Sequence, residues 1–179
     1  MIVLISGGSK SGKSDFAQQL ALRLSQGKHY YLATMLPADE EDRERIRLHL
    51  KSRAGMEFET IEQDRNILKC LEKAQADACF LLDSTTALLL NELYPDHETW
   101  QIDPTAPQRV AEEIIQLGQR VRNLVVVSDS IYADAQRYDP ETELYRRGLA
   151  RIDRAVAQIA DTVIEANAGQ FYVHKGALP

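Results

Sequence analysis

Two rhythms of apolar residues alternate along this chain. Short, largely β-branched or aliphatic runs at 2–5, 29–33, 78–82, 123–127 and 162–165 predict buried strands, and 57–61 predicts a weaker one. Between them, helical spacing recurs over 14–25, 40–53, 65–76, 85–93, 106–121 and 140–160. Strands separated by helices require right-handed crossovers, which put the strands in a mostly parallel sheet with helices on both faces. Tyr172-Val173 predicts one further strand, antiparallel at an edge. The stretch from Tyr94 to Pro107 holds three prolines and several acidic residues, and reads as a surface loop. No internal repeat or low-complexity tract interrupts the pattern, so residues 1–179 are expected to form one α/β domain.

Composition narrows the function classes. A length of 179 residues supports one well-filled core. The formal charge of −6 argues against a nucleic-acid partner or an anionic membrane surface. The longest apolar runs, such as Ala87-Leu88-Leu89-Leu90, are far too short to span a bilayer. A strand beginning at residue 2 leaves no room for a signal peptide. Cys70 and Cys79 have no metal-ligand spacing and read as reduced thiols. The expectation is a soluble, cytoplasmic protein.

Gly7-Gly8-Ser9-Lys10-Ser11-Gly12-Lys13-Ser14 changes the picture most. It follows a predicted strand and opens a predicted helix, the context in which G-x-x-x-x-G-K-[ST] is a phosphate-binding loop rather than a Gly/Ser turn. Glycines at 7, 8 and 12 are expected to reach positive φ and bring successive N–H groups to phosphate oxygens. The start of the helix adds unpaired donors and the positive end of its dipole. Lys13 can then reach β- and γ-phosphates while the Ser14 hydroxyl ligates Mg²⁺. The chain is expected to bind a nucleoside triphosphate.

Ligands of open parallel sheets sit beyond the carboxyl ends of the strands, which singles out Thr34, Asp83 and Asp129. Asp83 ends an apolar strand and is favoured for holding Mg²⁺, with Asp129 its rival; Asp83 or Ser84 could instead cap the next helix. On the helix over 40–53, Arg45, His49 and Arg53 fall at i, i+4 and i+8, on one face. Two guanidiniums would keep the imidazole neutral and nucleophilic and could hold phosphates. From pattern alone, a solvated charged helix with an incidental histidine is the simpler account. His29, His97 and His174 read as structural or exposed.

Taken together these residues resemble the adenosylcobinamide kinase/adenosylcobinamide-phosphate guanylyltransferase family of cobalamin biosynthesis. The resemblance rests on the Gly-Gly-x-x-Ser-Gly-Lys-Ser loop, Tyr31-Leu32-Ala33-Thr34, Arg45-Ile46-x-x-His49-x-x-x-Arg53, Thr60-Ile61-Glu62 and Leu81-Leu82-Asp83-Ser84-Thr85-Thr86. Asn91, Ala160-Asp161-Thr162-Val163 and Ala168-Gly169 through Lys175 extend it over most of the chain. It departs at Asp129-Ser130-Ile131-Tyr132 and Gln136-Arg137-Tyr138-Asp139-Pro140, where the family carries Asn-Glu-Val-Gly-like and Gly-Ile-Val-Pro-like turns. These loops lie at strand ends, where an acceptor can be contacted.

The resemblance implies a RecA-like P-loop fold, GTP, ATP and Mg²⁺ as cofactors, a corrinoid acceptor and a homotrimer. It implies two reactions: phosphorylation of adenosylcobinamide, and guanylylation of the phosphate product through a guanylyl-histidine at His49. Nucleotide contacts are implied for residues 7–14, for Ala33, Thr34 and Met35, for Arg45, for Leu50, Lys51, Ser52 and Arg53, and for Glu62 and Asp83. Lys13 and His49 would be catalytic, and Ser14 and Asp83 would hold the metal. A plain small-molecule kinase and a non-enzymatic nucleotide-binding regulator are the alternatives.

Overall fold

The computed structural model describes residues 1–25, 27–37, 39–52, 55–96 and 99–179; within the helix over 40–52, the side chains at 41, 42, 45, 48, 49 and 52 lie outside that description. The elements run β1 (Ile2–Gly7), α1 (Lys13–Leu24), β2 (His29–Ala33), α2 (Glu40–Ser52), β3 (Phe58–Glu62), β4 (Cys79–Asp83), α3 (Thr85–Leu93), α4 (Ala106–Arg120), β5 (Asn123–Asp129), α5 (Pro140–Ile159), β6 (Thr162–Asn167) and β7 (Gln170–Lys175). They build one seven-stranded sheet in the order β3-β2-β4-β5-β1-β6-β7. All pairings are parallel except β6 with β7. That hairpin turns at Ala168-Gly169, both at positive φ, as a type I′ turn requires.

The central strands are buried on both faces, which explains their continuous apolar runs. One face sends Val3, Ile5, Leu81, Val125 and Val127 against Ala17, Leu20 and Ala21 of α1. The other sends Leu4, Phe80, Leu82, Leu124 and Val126 into a larger core with α3, α4 and α5. By contrast the described side chains of α2 are exposed apart from half-buried Ile46.

The expected helix over 65–76 is instead a 3₁₀ helix, Ile67–Glu72, entered from Asn66 in the left-handed region. Only Ile67 and Cys70 are fully buried there, three residues apart, so the segment wants the three-residue repeat of a 3₁₀ turn. Lys69 N–H donates to Asn66 O, and Lys73 N–H to Cys70 O. Cys70 and Cys79 are free and buried, and burial pushes both thiols up to about 12, which makes them inert. His29 is buried and contacts Ser25 O, and exposed His174 contacts Glu165. His97 lies outside the described residues.

Candidate functional site

The phosphate loop runs from the end of β1 into α1, and its shape differs in detail from the expectation. Among its glycines only Gly12 has positive φ, at 86°, and non-glycine Lys10 takes the other left-handed position at 59°. Gly7 is required for space: a Cβ there would lie 2.4 Å from Ala166 O on β6. Nothing crowds Gly8, which lies exposed together with Ser9 and Lys10. Ser11 N–H donates to Gly8 O at 3.3 Å, and Ser11 is buried. Ser14 follows Lys13 in the first turn of α1, half-buried.

Lys13 is 7% exposed. Its ammonium donates to Gly8 O at 3.0 Å and pairs with Asp129 Oδ1 at 2.6 Å. The pairing follows from register, because Asp129 on β5 faces Gly7 on β1. The Asp129 N–H is in turn fixed on the Thr86 hydroxyl of α3. A triphosphate reaching Lys13 must share that cation with Asp129 or displace it.

Asp83 sits one strand further along the same edge, opposite Val127 of β5 and Ala33 of β2. Its Oδ2 accepts from the Tyr31 hydroxyl at 2.9 Å. Ser84, not Asp83, caps α3, its hydroxyl accepting from Ala87 N–H. Buried Thr34 both donates to Ser84 O and accepts from Ser84 N–H, each at 2.9 Å. The Asn91 amide ties down Thr34 O and Asp64 O. This lattice fixes the ends of β2 and β4 and leaves the Asp83 carboxylate to face outward. No described cation pairs with Asp83, whereas Asp129 already has Lys13. That contrast favours Asp83 for a divalent ion.

Mg²⁺ takes hard oxygen ligands and keeps several waters. A Ser14 hydroxyl and an Asp83 carboxylate, directly or through water, suit it. Among the described residues no group of three or more His, Cys, Asp or Glu offers a rival site.

A cavity of about 390 Å³ opens at the ends of β2, β3 and β4. Ala33, Met35, Glu62 and Asp83 line it, and Ile46 and Leu50 bring α2 to its border. Six of the expected contact positions therefore meet there or brace it: Ala33, Met35, Leu50, Glu62 and Asp83 in the lining, Thr34 behind it. Lys51 is exposed on α2 and is not in the lining. The side chains of Arg45, His49 and Ser52, and all of Arg53, lie outside the described residues.

Two charged residues in the neighbourhood were not singled out by pattern. Arg146 and Asp153 are both buried on α5, in the same helical stripe as Leu149, Ile152 and Val156. Arg146 pairs with Asp134 and Glu143, both at 2.6 Å. Asp153 Oδ2 accepts from the Tyr132 hydroxyl at 2.7 Å. Burial pushes Asp153 up to about 6, against the pull of the neighbouring Ser128 and Tyr132 hydroxyls. A charge inside an apolar stripe is the signal that would have found both.

Fold and loop together define a P-loop nucleotide-binding protein. Solved structures share the architecture at low identity. The flagellar accessory protein FlaH from Methanocaldococcus jannaschii matches with a TM-score of 0.53 and 15% identity, over 98% of this chain and 78% of that one. A second solved structure, an ATPase domain, matches with a TM-score of 0.53 and 11% identity, over 92% of this chain and 68% of that one. These establish the RecA-like P-loop fold and nothing finer.

The family comes from sequence. The profile of the CobU family, cobinamide kinase / cobinamide phosphate guanyltransferase, matches residues 3–173, and the chain belongs to that family. It is 31% identical to the bifunctional adenosylcobalamin biosynthesis protein CobP of Pseudomonas aeruginosa, over 70% of this chain and 69% of that one. The protein is thus a transferase of cobalamin biosynthesis. No described helix is long and apolar enough to cross a membrane.

Proposed function

We infer that one domain carries two phosphorus transfers. In the first, the hydroxyl of adenosylcobinamide attacks the γ-phosphorus of ATP or GTP, the nucleoside diphosphate leaves, and the hydroxyl proton passes to solvent or a carboxylate. Loop N–H groups and Lys13 stabilise charge on the transferring phosphoryl. Ser14 and Asp83 would hold Mg²⁺, which would supply charge neutralisation to the phosphates. In the second, a ring nitrogen of His49 attacks the α-phosphorus of GTP and releases pyrophosphate. The phosphate oxygen of adenosylcobinamide phosphate then attacks that phosphorus, the phosphorus–nitrogen bond breaks, and adenosyl-GDP-cobinamide forms.

The observation that carries this reading is the cavity at the strand ends. It has the size of a nucleoside, joins Glu62 and Asp83, and is bordered by the helix that carries His49. Neighbouring strands lie about 4.8 Å apart, so Asp83 is roughly 10 Å along the edge from the phosphate loop, a span a triphosphate bridges. Arg45 and Arg53 would steady the phosphates and keep His49 neutral. The homotrimer is carried by the family resemblance, and in it a neighbouring subunit would cover Leu36 and Leu50, 40% and 52% exposed beside the cavity. A cytoplasmic setting and a small-molecule acceptor, rather than nucleic acid, complete the reading.

Incubation with α-labelled GTP tests it. Wild-type protein should retain label after denaturation, in a bond that is acid-labile and base-stable. His49→Ala should retain none and lose guanylyl transfer, while still phosphorylating adenosylcobinamide. Label on another residue, or guanylyl transfer by His49→Ala, would leave His49 idle and move the nucleophile elsewhere, and no label with no guanylyl transfer would make this a plain kinase.

A further inference from the structure

A second and larger hollow lies along the β5–α5 connection, which starts where Ser130 N–H donates to Gly7 O of the phosphate loop. It holds about 930 Å³ between the β5–α5 connection and the first half of α5. We propose that this groove seats the macrocycle of the corrinoid acceptor and that segment 131–138, which forms one of its walls, sets which corrinoid fits. The proposal rests on the reading above and gives its acceptor a site.

Position is the first argument. The groove begins at Tyr132, three residues beyond Asp129, which faces Gly7 of the phosphate loop and pairs with Lys13. An acceptor lying there can extend a side arm toward the transferred phosphoryl. Size is the second. The cavity near α2, at about 390 Å³, suits a nucleoside and is too small for a corrin ring with its arms, whereas this groove has the room.

Chemistry is the third. A corrin offers a broad apolar face fringed by amide arms, each both a donor and an acceptor of hydrogen bonds. The groove matches that pattern, with Tyr132, Pro140 and Leu144 as apolar wall and Arg137, Arg147 and Asp134 as mixed donors and acceptors. Its cations are largely compensated: Arg146 has two carboxylate partners, and Arg147 lies 3.5 Å from Glu143. A second triphosphate would find little free positive charge there.

Preorganisation is the fourth. Segment 131–138 contains no helix or strand, yet Arg146 holds it at several points. Its guanidinium donates to the carbonyls of Ile131, Asp134 and Gln136, and stacks on Tyr138 with the ring centroid at 4.5 Å. A buried arginine spent on shaping one exposed loop is explained if the loop's surface has to be rigid to recognise a ligand.

Binding of cobinamide, followed by its own absorbance in equilibrium dialysis, tests the assignment together with steady-state kinetics of its phosphorylation. Ala150→Trp fills the groove from α5, and Arg137→Glu reverses a charge on its rim. Each should raise the Kd and KM for cobinamide at least tenfold while kcat changes much less, and each should still bind a fluorescent GTP analogue with wild-type affinity. Retained nucleotide binding shows that the variant is folded. If both variants bind nucleotide and take cobinamide as wild type does, the groove is not the seat, and the proposed function stands without it. If wild-type protein neither binds nor phosphorylates cobinamide, the functional reading falls first and the groove assignment with it.

Discussion

Lys13 is nearly buried and held by Asp129 and Gly8, whereas Leu50, on the other side of Asp83, is half-exposed on a helix whose described side chains mostly face solvent. The two regions flank one edge of one sheet. The phosphate loop is fixed by register, by a glycine that cannot bear a Cβ and by compensated charge. The α2 side is fixed at its base by Thr34, Ser84 and Asn91, but its upper wall is a solvated helix. The difference separates two tasks. Holding phosphates needs backbone geometry that never changes, and that geometry is completed within the chain. A step that attacks one nucleotide and then releases it to a bulky acceptor needs a wall that can be completed and opened from outside.

The contrast breaks first at Lys13. Lys13→Ala should lower turnover of both reactions by a hundredfold or more, a loss of about 2.7 kcal/mol of transition-state stabilisation. Rates within a few-fold of wild type in both assays would mean that the phosphate side is not shared. A loss confined to the kinase step would mean that the α2 side binds its GTP independently of the loop.

A milder change distinguishes the two carboxylates. Asp83→Asn keeps an acceptor for the Tyr31 hydroxyl but removes the charge that draws Mg²⁺. Activity should drop about tenfold to a hundredfold, with partial rescue by Mn²⁺ and little change in Tm. Asp129→Asn releases Lys13 from its ion pair and should cost less than about tenfold, with the Mg²⁺ requirement unchanged. A raised Mg²⁺ requirement in Asp129→Asn alone would move the metal from β4 to β5.

How much of this was legible in the sequence follows the same division. The strands, the loop and the edge hairpin were readable because β-branched runs, the glycine spacing and Ala168-Gly169 act locally. Residues 65–76 misled because their apolar spacing suits a helix, while only Ile67 and Cys70 are fully buried and Leu68, Leu71 and Ala74 pack partly against the core. The expected positive φ at Gly7 missed a close approach to β6, from the far end of the chain, and at Gly8 nothing crowds the backbone. The Lys13–Asp129 pair depends on β1 lying beside β5, which the order of elements alone does not fix. That Ala33, Glu62 and Asp83 share one cavity could be expected only through motif resemblance, since they come from three strands. Arg146 and Asp153 were overlooked because α5 reads as amphipathic until its charged positions are checked against its apolar stripe.

Asp153 supplies the smallest and most quantitative test of the phosphate side. It is 5% exposed, near Asp129, and burial and Asp129 both raise its proton affinity. In the unfolded chain it ionises near its ordinary 3.8, whereas in the fold it keeps its proton until about 6. Below pH 4 both states are protonated and the fold has the full benefit. As pH rises through this window the unfolded state releases its proton first, so stability falls and the contribution is gone above about pH 6. The difference between the two pKa values corresponds to at most about 3 kcal/mol. Asp153→Asn keeps an acceptor for the Tyr132 hydroxyl and cannot ionise, so its stability should be flatter between pH 4 and 7. Urea melts across that range should show the wild type losing about 2–3 kcal/mol relative to the variant. Parallel curves would mean that the wild-type pH dependence arises elsewhere and that Asp153 ionises in the fold near its ordinary 3.8, carrying its charge beside Asp129 at neutral pH. In that case the Lys13–Asp129 pair would have a second ionised carboxylate for a neighbour, and Lys13 would face two anions rather than one.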